Sequence, residues 1–222
     1  MSDIFREVDE ALQREKAAQF WKEYGPTLIG CIFVIILSTA AMTGYRNWDN
    51  WRDEQETSKL IAATTDKDIA AAMEKAAAQT RKGHEAVALM TAAGVKASSK
   101  DFAAAAKLYD EITQDKSTPD DLRDLATVLY VRSAMLANAG KPVDYKAMLD
   151  KLVPVAKNDK SVFQLQAKLD AALLYGDGLK DYASALDLLK GFEDANTSDS
   201  MKGKADALKH VYEFERSKSP KA

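Results

Sequence analysis

The chain has 222 residues, 31 Lys or Arg against 34 Asp or Glu, a net charge of −3, and a single cysteine. A balance this close to neutral supplies no basic stripe for nucleic acid, and one cysteine supplies neither a disulfide framework nor a thiolate metal cluster. The length fits a short leading region and one domain of ordinary size, large enough to bury a core of its own.

In chain order, residues 1–23 come first, with Arg6, Arg14, Lys16 and Lys22 against Asp3, Glu7, Asp9, Glu10, Glu15 and Glu23. Ser2 can cap a helix whose narrow apolar stripe is Ile4, Phe5, Val8 and Leu12. Its acidic face disfavours an anionic headgroup layer, which leaves docking on a partner or a merely nascent helix. Residues 24–45 follow, 22 positions without a charge. That matches the roughly 20 helical residues that cross a hydrocarbon core of about 30 Å. Phe20, Trp21 and Tyr24 stand before this run and Tyr45, Trp48 and Trp51 after it, residue types that prefer the membrane interface. A cleaved export signal is the competing reading, with Ser38-Thr39-Ala40 as its small-residue site. The long, net-negative leader speaks against it, and the expectation is an uncleaved anchor. Within the run Thr27, Cys31, Ser38 and Ala41 fall near one helical face and form a candidate packing face between spans. Four basic residues precede the run and three (Arg46, Arg52, Lys59) follow closely, so charge leaves the sidedness open.

Residues 46–222 carry 27 basic and 28 acidic side chains and read as helix throughout, because alanine and strong helix formers dominate and β-type alternation is scarce. The fold class is all-α: one transmembrane helix, then a helical-repeat domain. Thr65 with Asp68 marks a helix start, and Thr118-Pro119-Asp120-Asp121 marks another by cap, proline and acidic first turn. Breaks are expected at Gly83, Gly94 to Lys100, Gly140-Lys141-Pro142, Gly176-Asp177-Gly178 and Asn196 to Ser200.

The segments KDFAAAAKLYDEI from Lys100 and KDYASALDLLKGF from Lys180 share one pattern, and VDYKAMLDKL from Val143 repeats its Asp-Tyr opening. The three aspartates, 101, 144 and 181, lie 43 and 37 residues apart, a period that belongs to stacked helix pairs. In each unit an aromatic ring fills the gap between pairs while a small Ala lets two helices approach. Phe102, Ala105 and Tyr109, and Tyr182, Ala185 and Leu189, resemble the second helix of a tetratricopeptide repeat. The first helices match less well, with Leu89 and Leu169 where that pattern has tryptophan, so the repeats are degenerate.

No motif for catalysis, phosphate binding or metal binding occurs: His84 and His210 are far apart and read as surface residues, and neither GxxxxGK, GxSxG nor HExxH is present. No catalytic, cofactor or metal residue is therefore assigned, and no cofactor or small-molecule substrate is expected.

An acidic leader, the FWKEYG approach at Phe20 to Gly25, one span and an Ala-rich repeat domain together resemble the YfgM-like family of bacterial inner-membrane proteins. The resemblance implies a cytoplasmic segment 1–23, an anchor 24–45 and a periplasmic domain 46–222. It further implies association with the SecYEG translocon and with a PpiD-like membrane-anchored chaperone, as a non-enzymatic helper of exported proteins. The rival readings are a structural scaffold for another envelope assembly, in cell division or outer-membrane biogenesis, and an enzyme with a site dispersed over the repeats.

Overall fold

The computed structural model describes residues 37–140, 142–193 and 197–218, and every regular element among them is helical. The chain divides into two units, Met1–Gln55 and Glu56–Ala222. In the first, residues 37–55 are helical, with Leu37, Met42, Tyr45, Trp48 and Trp51 exposed and the Arg52 guanidinium 4.8 Å above the Trp48 ring. Residues 24–36 of the expected span lie outside the described residues; among the described ones, no helix is long and apolar enough to cross a membrane.

The second unit opens with helical residues 56–64 (α1), then α2 (Ile69–Ala77), α3 (Lys82–Ser98), α4 (Phe102–Gln114), α5 (Asp120–Ala137), α6 (Tyr145–Ala156) and α7 (Gln164–Leu173). A π-helical turn, Leu174–Gly178, leads to α8 (Tyr182–Leu188) and α9 (Asp199–Lys218). Asp101, Asp144 and Asp181 turn out to be helix caps: each carboxylate accepts the backbone N–H three residues on, at 3.2, 3.0 and 3.1 Å, and so opens α4, α6 and α8. Asp68 does the same for α2 at 3.1 Å, while the Thr65 hydroxyl turns back to the Ala62 carbonyl at 2.8 Å and closes α1. The α3–α4 corner uses one aspartate twice. Asp101 N–H donates to the Lys96 carbonyl at 2.9 Å to finish α3, with Lys100 in the left-handed region at φ 65, and the same residue's side chain starts α4. Lys180, at φ 57, repeats this geometry before Asp181. The Lys-Asp-aromatic motif is thus a tight helix corner followed by a wedge.

Several expected boundaries move. Helix α3 begins at Lys82, beside the break expected at Gly83, but runs through Gly94 to Ser98, because Gly94 needs no left-handed backbone. Pro119 stands before α5 with no side-chain cap; Thr118 is buried and its carbonyl accepts from Arg123. At Gly176 and Gly178 the chain stays helical but widens to the π form, with Leu179 N–H reaching the Leu174 carbonyl at 3.1 Å. Both glycines are required by packing, since a Cβ would sit 2.4 Å from the Tyr212 ring at Gly176 and 2.5 Å from the Tyr145 ring at Gly178.

Three apolar clusters follow one another along the unit. The first joins α1 to α5 around Ile112 and Tyr109, the second joins α5, α6 and α7 around Leu152 and Leu174, and the third joins α7, α8 and α9 around Leu189, Phe192 and Tyr212. Successive clusters share a helix, α5 between the first two and α7 between the last two, which is why no pair buries its core alone.

Candidate functional site

The pairs α3/α4, α5/α6 and α7/α8 are followed by α9, and the first helices make one continuous row, α3 against α5, α5 against α7 and α7 against α9. On the other wall α4 and α6 are tied by an ion pair, Lys151 to Asp110 at 2.5 Å, laid across the Tyr130 ring of α5. The helices of this row carry exposed apolar side chains: Val87 on α3, Leu136 on α5, Val211 and Phe214 on α9.

A groove of about 360 Å³ opens on that row between α5, α7 and α9. Leu169 and Leu173 of α7 with Ala207 and Leu208 of α9 give it an apolar lining, and Arg132, Gln166, Asp170 and Lys204 supply its polar groups. Asp170 is buried, and its carboxylate accepts from Arg132 Nε at 2.7 Å, Arg132 Nη2 at 3.2 Å and Gln166 Nε2 at 3.2 Å. This fork fixes the guanidinium and accounts for the buried negative charge. Lys204 is exposed and makes no ion pair among the described residues. The groove therefore carries one positive charge in excess.

A second cleft, of about 410 Å³, lies on the opposite wall between α6, the π-helical turn and α8. Two of its polar groups are engaged, the Ser184 hydroxyl donating to Asp181 at 2.6 Å and Asp187 holding Lys190 at 2.7 Å, and Lys157 stands exposed at its edge.

The residues expected from the repeat pattern lie in the core beneath these surfaces. Phe102 and Tyr182 are the first residues of α4 and α8 and are half-buried; Ala105, Tyr109, Ala185 and Leu189 are buried. Of the residues assigned to the membrane interface, Tyr45, Trp48 and Trp51 are exposed, and Phe20, Trp21 and Tyr24 lie outside the described residues. Of the candidate span face, Ser38 and Ala41 are exposed and helical, and Thr27 and Cys31 lie outside them. His210 is exposed on α9, but His84 is half-buried, its Nδ1 3.1 Å from the Glu56 carboxylate. Reading the sequence missed the groove, although Arg132 and Asp170 are 38 residues apart, one repeat period, which is the signal that could have paired them.

Stacked helix pairs opened by Asp-aromatic corners agree with what comparison shows: a family model of a tetratricopeptide repeat-like domain matches residues 18–147. The chain belongs to the tetratricopeptide repeat-like domain family. Neither the curated proteins nor the solved structures give a match. Tetratricopeptide repeat-like domains are typically non-catalytic protein-interaction modules, and the surface described above has the composition for such work: apolar carbon, a fixed guanidinium and a free amine. The family match ends inside α6, so the α7 and α9 walls of the groove lie beyond it.

Proposed function

We propose that the chain is a non-enzymatic protein-interaction subunit of the bacterial inner membrane, similar to the YfgM-like proteins. In this reading residues 24–45 anchor it, residues 1–23 face the cytoplasm, and residues 46–222 extend into the periplasm. There it binds protein segments near the SecYEG translocon together with a PpiD-like chaperone. The observation that carries the binding role is the continuous row α3–α5–α7–α9 with Val87, Leu136, Val211 and Phe214 exposed on it. Exposed apolar groups beside a groove with an apolar lining are what a protein-binding surface requires. Support for the membrane placement is the uncharged run 24–45 between aromatic flanks.

The test is photocrosslinking in living cells from an unnatural residue placed at Val87 or Leu136, followed by mass spectrometry. Crosslinks to channel subunits, to a membrane-anchored chaperone or to proteins in transit are the expected result. Crosslinks confined to division or outer-membrane assembly proteins would replace the translocon with another envelope assembly. Protease added to spheroplasts should digest residues 46–222 and spare residues 1–23; protection of the large domain would overturn the topology.

A further inference from the structure

We infer that the groove between α5, α7 and α9 selects acidic amphipathic segments, seating apolar side chains on Leu173, Ala207 and Leu208 and a carboxylate on Lys204 and Arg132; this rests on the protein-binding role proposed above. Charge selects the ligand. Asp170 is already satisfied by Arg132 and Gln166, while the Arg132 side chain keeps 43% of its surface exposed and Lys204 makes no ion pair among the described residues. A ligand carboxylate would pair with Lys204 beside the exposed part of the Asp170-bound Arg132, whereas a basic ligand would meet an uncompensated positive charge.

Shape selects it as well. Lys204, Ala207, Val211 and Phe214 recur at spacings that place them on one face of α9. The stripe therefore runs about 15 Å from the groove along the helix. Val211 and Phe214 are 52% and 57% exposed, and the Lys218 ammonium lies 3.9 Å from the Phe214 ring centroid. The apolar track thus has a lysine at each end. A second copy of this chain docking through the same stripe would offer Lys204 only a lysine already paired with Glu215 and no free carboxylate, which disfavours self-pairing. Anionic lipid is recognised by clusters of roughly four to eight basic residues on a surface, not by one lysine and one already paired arginine in a groove.

The experiment is fluorescence anisotropy on the full chain in mild detergent, with a labelled probe peptide of about 14 residues, long enough to follow the stripe as a helix. The probe carries Leu and Phe at helical spacing and Asp at both flanks; one companion has Lys in place of Asp, the other Ser in place of Leu and Phe. The acidic apolar probe should bind about ten-fold more tightly than either companion. The preference for acidic over basic flanks should disappear in Lys204→Glu, persist in Lys204→Arg, and persist in Lys160→Glu, which changes an exposed lysine away from the groove. Equal binding of the three probes, or an unchanged preference in Lys204→Glu, would overturn the inference. Crosslinking from Val87 on α3 reports on the broader reading independently. Captured partners there without probe preference would remove the groove assignment alone, and failure of both would remove the protein-binding role as well.

Discussion

Glu56 ties the start of the second unit to the start of α3. Its carboxylate, on a buried residue, accepts from Arg81 N–H at 3.3 Å and Arg81 Nε at 3.0 Å, with His84 Nδ1 at 3.1 Å. Burial raises the Glu56 carboxyl, but the Arg81 hydrogen bonds and the charges of Arg81 and His84 outweigh it and hold the group below the ordinary carboxylate value. The folded form therefore favours the ionised state. Its stabilisation is fully present above the unfolded value of about 4.3 and is lost as pH falls through the lower folded value. Glu56→Gln should cost about 1–3 kcal/mol near neutral pH, by loss of charge-assisted hydrogen bonds. In urea titrations that difference should shrink as pH drops below about 4.3; a gap independent of pH would show that packing, not charge, makes the contact. Tyr212 is the opposite case. Its hydroxyl is buried with no hydrogen-bond partner among the described residues, and burial, then the Asp177 charge, push the phenol up. Tyr212→Phe keeps the ring against Gly176 and removes the orphan oxygen, so it should leave stability equal or higher by about 1 kcal/mol. A clear loss in thermal denaturation would mean that the hydroxyl is bonded in solution.

At the scale of the element, glycine tells apart two kinds of helix. Gly176 and Gly178 sit in the π-helical turn where the Tyr212 and Tyr145 rings press on the backbone, while Gly203 on α9 has nothing within 4 Å of an added Cβ. Gly178→Ala should therefore cost about 1–3 kcal/mol by overpacking. Gly203→Ala should gain about 0.5–1 kcal/mol by lowering the entropy of the unfolded chain. Equal effects from the two in denaturant titrations would show that the Tyr145 ring moves aside. The same turn explains why the second repeat interval is shorter than the first. Asp181 N–H reaches back to the Tyr175 carbonyl at 2.9 Å across the widened turn, so the corner before α8 is made without a separate loop.

At the scale of the whole second unit, stability is shared between neighbours. Ala105 belongs to the first cluster and Ala185 to the third, both without exposed surface, and α5 and α7 connect these clusters through the second. Ala105→Phe and Ala185→Phe should each cost about 1–3 kcal/mol. Because every interface is nearest-neighbour, loss at one end is passed along the stack. Far-UV circular dichroism and tyrosine fluorescence should thus follow a single unfolding transition in either variant. Separate transitions would show that the clusters fold independently.

The sequence by itself determined the all-helical class, the existence of a repeat and its phase. These depend on local chemistry: helix formers without β alternation, and an Asp-aromatic pair that recurs because each second helix needs a cap and a wedge. Its reading of glycine was less successful, since a break signal and a close-packing requirement are written with the same letter, and only the Tyr145 and Tyr212 side chains distinguish them. His84 was misread for a related reason: its partner Glu56 is 28 positions away, and nothing local marks the approach. Tertiary structure alone decided the groove. Arg132, Asp170 and Lys204 stand on three helices, and which charge is satisfied and which is left over depends on how α5, α7 and α9 are placed side by side.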